Sequence, residues 1–287
     1  MNGKYTASAM RLKICFILIS LLLAPAGFSQ GMSESRAFAD ALFEEGQNDQ
    51  ALAVYQRIAF FSRPATDPAV LLRIADCFYA RGDLDKALEF YDHSYFSLED
   101  DSLKTEALLQ KAACYLRSRN YDFALIELLS LDEQADPAME DKRNFYLGMT
   151  WFGLENFDQS ASFFEKIPDN QADRDQIKAL LNNRRLIHRP DPRLASWLSV
   201  FVPGAGQFYT GQPMAGINSL LLTGSLVALG FLLASVTSPL DALITALPWF
   251  QRYYQGGFQR AADFARIRRA ENRNDAFNRI LGIIESD

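Results

Sequence analysis

The sequence predicts an all-α protein: a helical solenoid, then a hydrophobic helical hairpin, then an amphipathic C-terminal helix. Three observations carry that expectation. Small residues recur at Ala51, Ala87, Ala124 and Ser160, spaced 36, 37 and 36 residues apart, inside a pattern that occurs four times. The 21 residues Gly216–Val236 hold no charge. Seven arginines then crowd residues 251–287. A fixed period of this length marks stacked repeats, and such stacks present surfaces more often than they catalyse.

The first 29 residues have the pattern of an export signal. Lys4, Arg11 and Lys13 form a basic leader, Ile14–Leu23 is apolar apart from Ser20, and residues 24–29 offer small side chains for cleavage near Ser29. The apolar run is short for a bilayer span, which favours a cleaved signal over a retained anchor. Either form exports the repeats.

Residues 32–187 form the expected solenoid of about nine helices. Within each repeat, small residues (Ala39, Ala75, Ala112, Gly148) precede large ones (Leu42, Phe78, Tyr115, Trp151), and a second large residue comes later (Tyr55, Tyr91, Leu128, Phe164). Leu71, Ile74, Ala75 and Phe78 share one helical face. Gly82 allows a left-handed helix end, and Asp83 can cap the next helix. Leu84, Ala87, Leu88 and Tyr91 form that helix's apolar face. Pro168 closes the fourth repeat, and residues 173–187 form a capping amphipathic helix through Ile177, Leu180, Leu181 and Ile187. Cys77 and Cys114 fall at equivalent positions. Packed helices of neighbouring repeats lie about 10 Å apart, too far for a disulfide, so both read as small core residues.

These offsets of small, aromatic and turn residues resemble the tetratricopeptide repeat over about residues 32–170, best at Leu71–Tyr91. Departures are Lys111 at a normally apolar position, Arg119 in place of the turn glycine, and a period above the family's usual one. The resemblance implies a tetratricopeptide-type solenoid whose first helices line a concave face. Phe43, Tyr79, Leu116 and Phe152 match those positions, with Leu72, Leu109 and Phe145 beside them. Such a row can hold a protein or peptide partner; the same residues serve equally well as half-buried packing.

Pro190 and Pro192 make residues 188–194 a linker that no helix can run through. Residues 195–255 come next as a membrane module. Gly216–Val236 is long enough to span a bilayer as a helix, and residues 240–254 form a weaker apolar stretch interrupted by Asp241, Pro248 and Arg252. Ahead of the span lies Pro203-Gly204-Ala205-Gly206-Gln207-Phe208-Tyr209-Thr210-Gly211. This resembles the P-G-x-G-Q-x-Y-x-G signature of small bacterial two-helix membrane modules, where a later Tyr-Gly pair, here Tyr254 and Gly256, also recurs. The resemblance covers about residues 195–266 and implies membrane attachment without a known chemistry. The glycines permit tight turns and close helix contact, and Gln207 is placed to satisfy backbone groups freed by Pro203. A dinucleotide loop would need glycine at Tyr209, and a P-loop would need Gly-Lys-Ser/Thr, so nucleotide binding is disfavoured.

Charge divides the chain. Residues 31–183 carry 15 Lys+Arg against 28 Asp+Glu, and residues 184–287 carry 11 against 7. The acidic front disfavours nucleic acid as a partner. The Arg-rich tail, residues 256–287, is expected to meet anionic lipid head groups through Arg260, Arg266, Arg268 and Arg269. One span would place this tail in the cytoplasm, as the positive-inside rule prefers; two would return it to the side of the repeats. A hairpin with an incompletely inserted second arm is the preferred compromise.

The two histidines, His93 and His188, lie on different segments. No spacing suggests a metal site, a cofactor or a nucleophilic triad. The sequence therefore points to a non-enzymatic scaffold of the cell envelope, with its repeats on the periplasmic side. The alternative is a membrane module acting directly in protein insertion, lipid handling or transport, with the repeats recruiting its client.

Overall fold

The computed structural model describes residues 31–62, 66–131 and 136–286; the expected signal and its cleavage point lie outside them. Every regular element among the described residues is an α-helix. The four repeats supply α1 (Met32–Glu44) and α2 (Asn48–Phe61), α3 (Pro68–Arg81) and α4 (Leu84–Ser97), α5 (Asp101–Arg117) and α6 (Tyr121–Leu129), and α7 (Pro137–Gly153) and α8 (Phe157–Phe164). After them come α9 (Gln171–Asn182), α10 (Arg184–His188), α11 (Pro192–Phe201), α12 (Ala205–Tyr209), α13 (Pro213–Val236) and α14 (Pro239–Ile284).

Local chemistry starts most of these helices. Asp67, Asp136 and Asp191 each accept a backbone N–H at a helix start whose first residue is proline, where the missing N–H costs nothing. Asp83, Asn156, Asn170 and Ser238 cap α4, α8, α9 and α14 in the same way. The turn between the helices of each repeat holds one residue in the left-handed region: Gly46, Gly82, Arg119 and Glu155, at φ of 76°, 82°, 59° and 60°. The last two hold this shape without the freedom of glycine.

The chain forms two compact units, one ending at Cys114 and one beginning at Tyr115. In the first, consecutive helices α1 to α4 pack each on the next. The small residues Ala39, Ala51, Ala75 and Ala87 are fully buried, with Tyr55, Ile74 and Tyr91 filling the space between helices. Cys77 and Cys114 are both fully buried in this core. Burial pushes the Cys77 thiol up to about 12. Lys111 is buried as well, and its ammonium reaches the Asp92 carboxylate at 2.7 Å, so an ion pair accounts for a cation at an otherwise apolar position.

In the second unit α6, α7, α8 and α9 continue the pairwise packing. The cap differs from its expected form. Asn183 ends α9, and its side chain accepts N–H groups of Arg185 and Leu186, starting the separate α10. Pro192 opens α11, so only Arg189–Asp191 separate the two helices. Between Arg193 and Asp241 no residue carries charge. Within that stretch α13 is 24 residues long and apolar enough to cross a membrane. Thr237 and Ser238 then turn the chain, and α14 runs back along α13 as one 46-residue helix. It continues through residues 255 and 256 without a break, so the second arm of the hairpin and the Arg-rich tail are one element.

Candidate functional site

The seven positions proposed to line a partner groove separate by burial. Leu72 and Leu109 lie in the core at 3% and 1% exposure, because they face the neighbouring helix rather than solvent. Phe43 and Tyr79 are half-buried against the core of the first unit. Leu116, Phe145 and Phe152 are half-buried in the second unit.

At the fourth repeat the chain itself occupies this face. The Phe277 ring of α14 stands 5.3 Å from Phe152 and 6.3 Å from Phe164, and Phe145 stands 6.0 Å from Phe164. Ala276 and Ile280 of α14 are fully buried in one cluster with Phe157, Ile177, Leu181 and Ile187. Arg273 adds polar fixings. Its guanidinium donates to both carboxylate oxygens of Glu155 at 2.6 and 3.0 Å, and to the carbonyl of Ile187 at 2.9 Å. It also lies 5.0 Å from the Phe157 ring. These hydrogen bonds hold the Glu155 carboxyl below its usual range, with the Arg269 charge helping. Asn272 reaches the Arg189 carbonyl at 3.0 Å. Among the arginines expected at lipid, Arg266 and Arg268 pair with Asp263 and Glu271 on their own helix.

The glycine-rich signature forms a compact polar knot. Pro203 is half-buried, and the chain turns at Gly204 with φ of 94°. A side chain on Gly206 would stand 1.9 Å from the Ala195 carbonyl, so α11 and α12 touch only because residue 206 has none. Gln207 is 2% exposed. Its Oε1 accepts the Ser199 hydroxyl at 2.9 Å, and its Nε2 donates to the Gly257 carbonyl at 2.8 Å. Ser199 Oγ in turn accepts the Gly206 N–H at 2.9 Å. Gln207 therefore ties α11 to α14, and it bonds Gly257 rather than backbone beside Pro203. Tyr209 points to the linker, its hydroxyl accepting the Asp191 N–H at 3.0 Å and an Arg189 N–H at 3.2 Å. Gly211 ends the signature at φ of 79°. Tyr254 donates its hydroxyl to the Val200 carbonyl at 2.6 Å. Gly256 lies beside the close contact, which is made by Gly257 against Ser219.

Ser199, Gly257, Glu155, Arg273 and Phe277 thus belong to these two sites, although the sequence did not single them out for such roles. The helical phase of Phe277 and Ile280 was the available signal for the last group. Among the described residues no group of three or more His, Cys, Asp or Glu side chains is placed to hold a metal ion.

A tetratricopeptide repeat family model matches residues 42–94, from the last turn of α1 into α4. The family is a non-catalytic repeat. No curated protein matches the chain in sequence. The third and fourth repeats lie beyond the matched residues, although their helix pairs and left-handed turns have the same plan.

Proposed function

We propose that the protein is an exported, membrane-attached tetratricopeptide scaffold that holds a protein or peptide partner in the cell envelope without turnover. One observation carries the reading: repeat helix pairs and an uncharged 24-residue helix belong to the same compact unit, joined through α11, α12 and α14. Bare apolar side chains on α13, among them Leu221, Phe231 and Val236, suit lipid better than water. The partner face proposed for the first unit is centred on the half-buried Phe43 and Tyr79.

The antiparallel course of α13 and α14 supports the two-arm topology. Ala195 of α11 packs on Ala261 and Ala265 of α14, so the start and the end of the hairpin meet. If α13 crosses the bilayer, the first half of α14 returns beside it and the arginine-rich half lies on the side of the repeats. That arrangement runs against the positive-inside preference, which counts arginines whether or not they are paired.

Alkaline carbonate extraction tests the reading. The full chain should stay with the membrane, and a chain ending near Arg189 should be released; release of the full chain would refute the span. Cysteine labelling at Ser238 and Ser286 tests topology. Two crossing arms place the two positions on opposite faces, with Ser286 on the repeat side.

A further inference from the structure

The two arms of the hairpin part near their base. A cavity of about 480 Å³ lies between them, lined by Asn218 and Ser219 of α13, by Arg252, Tyr253 and Arg260 of α14, and by Gln207 among others. Two adjacent glycines shape it. At Gly257 the arms close, since an added side chain would stand 2.9 Å from the Ser219 hydroxyl. At Gly256, halfway between the arginines, nothing lies within 4 Å of where a side chain would begin.

The charges in this cavity are unanswered. Among the described residues neither Arg252 nor Arg260 forms an ion pair. The flanking acids of α14 are engaged elsewhere, Asp241 with the Ser238 hydroxyl and Asp263 with Arg266, and α13 has no charge at all. The contacts of Gly257 with Ser219 and of Gly230 with Ala246 fix the register of the arms. They place Arg252 level with Gly224, near the middle of Pro213–Val236. Arg260 lies eight residues, about 12 Å, nearer the base. A guanidinium at such depth beside an uncharged helix is costly unless an anion or a polar cavity meets it, and intramembrane arginines mark functional sites for that reason.

We propose that this cavity binds a phosphate ester, with a phospholipid head group entering from the membrane surface as the occupant. Guanidinium groups match phosphate oxygens in paired hydrogen bonds. Asn218, Ser219 and Tyr253 supply neutral donors for the remaining oxygens, and the volume exceeds that of a bare phosphate. The apolar walls on either side favour a lipid over a soluble ester. This inference rests on insertion of the hairpin, which the carbonate extraction tests separately.

The test uses the purified full chain in a neutral detergent, with its melting temperature as the readout. Dioctanoyl phosphatidylglycerol, dioctanoyl phosphatidylcholine and glycerol phosphate are titrated in parallel. The anionic lipid should raise the melting temperature, with the other two far weaker. R252Q/R260Q should weaken that response at least tenfold, whereas R57Q/R185Q, changed at two exposed arginines outside the cavity and the tail, should keep it. Gly256→Leu fills the space without touching charge and should also abolish the response while circular dichroism shows full helix; it stands in if the double variant misfolds. An equal response to phosphatidylcholine, or an undiminished response in R252Q/R260Q or in Gly256→Leu, would overturn the site. Glycerol phosphate binding as tightly as the lipid would overturn the lipid source. A site that fails in detergent while the chain still resists carbonate leaves membrane attachment standing.

Discussion

Asp40 and Asp76 occupy the same place in successive repeats, and each receives the hydroxyl of a tyrosine fifteen residues on, Tyr55 and Tyr91. In the third and fourth repeats those pairs become Ala113 with Leu128 and Met149 with Phe164. Carboxylate and phenol vanish together, as they must when a buried hydroxyl needs an acceptor and a buried carboxylate needs a donor. Burial raises the Asp76 carboxyl above its usual range, while hydrogen bonds from Tyr91 and Arg73 oppose the rise. An acid raised on folding costs stability as pH climbs through its folded value. Tyr91→Phe removes a donor from the ionised form, so it should cost about 1–3 kcal/mol at neutral pH. The cost should shrink in acid, where Asp76 is neutral. Urea unfolding at both pH values checks this; an equal loss at each would mean that the phenol matters only for packing. The pairing was present in the sequence at a constant offset. It went unseen because an acid on a helix normally reads as a solvated charge.

At the scale of elements, the helix pairs were legible because small and large residues alternate at a steady period, and only close packing explains that pattern. The turns were legible in part. Gly82 announces a left-handed residue, whereas Arg119 and Glu155 conceal one. Restoring glycine at position 119 should stabilise the protein by about 1 kcal/mol, less the extra chain entropy that glycine brings; a lower melting temperature in Arg119→Gly would show that contacts of the arginine side chain outweigh the strain. The division of the cap at Asn183 was hidden, since the apolar phase of Ile177, Leu181 and Ile187 continues across it. In the C-terminal hairpin, composition marked the long apolar helix and the glycines marked a turn. The partner of Gln207 lies fifty residues away and no local pattern could name it. Ser199→Ala would leave both the Gly206 N–H and the Gln207 carbonyl oxygen without that hydroxyl. A loss of about 1–3 kcal/mol is expected for such orphaned buried groups, read as a lower melting temperature in detergent. No change would mean that the knot does not hold the hairpin.

At the scale of the whole molecule, the arginine-rich tail is part of the longest helix. Glu155 and Arg273 are separated by 118 residues, so no local pattern in the sequence pairs them. Glu155 also sits in the strained left-handed turn, where its carboxylate meets the tail. Because Arg273 lowers its pKa, this contact contributes stability above the usual carboxylate range and loses it as pH falls through the depressed value.

The unbroken course of α14 has a geometric consequence. Forty-six residues at 1.5 Å each make a shaft of about 69 Å, and every residue advances its heading by about 100°. Ala261 and Ala265 key the shaft to α11, and Arg273, Phe277 and Ile280 key it to the fourth repeat and the cap. One residue inserted after Arg268 should swing the second set of keys about a quarter-turn off its seats. Limited proteolysis should then cut the freed tail, whereas Ala270→Gly, which keeps the count of residues, should leave it protected. The helix thus sets a compass bearing as well as a distance: it fixes which way the last repeat looks relative to the two arms of the hairpin.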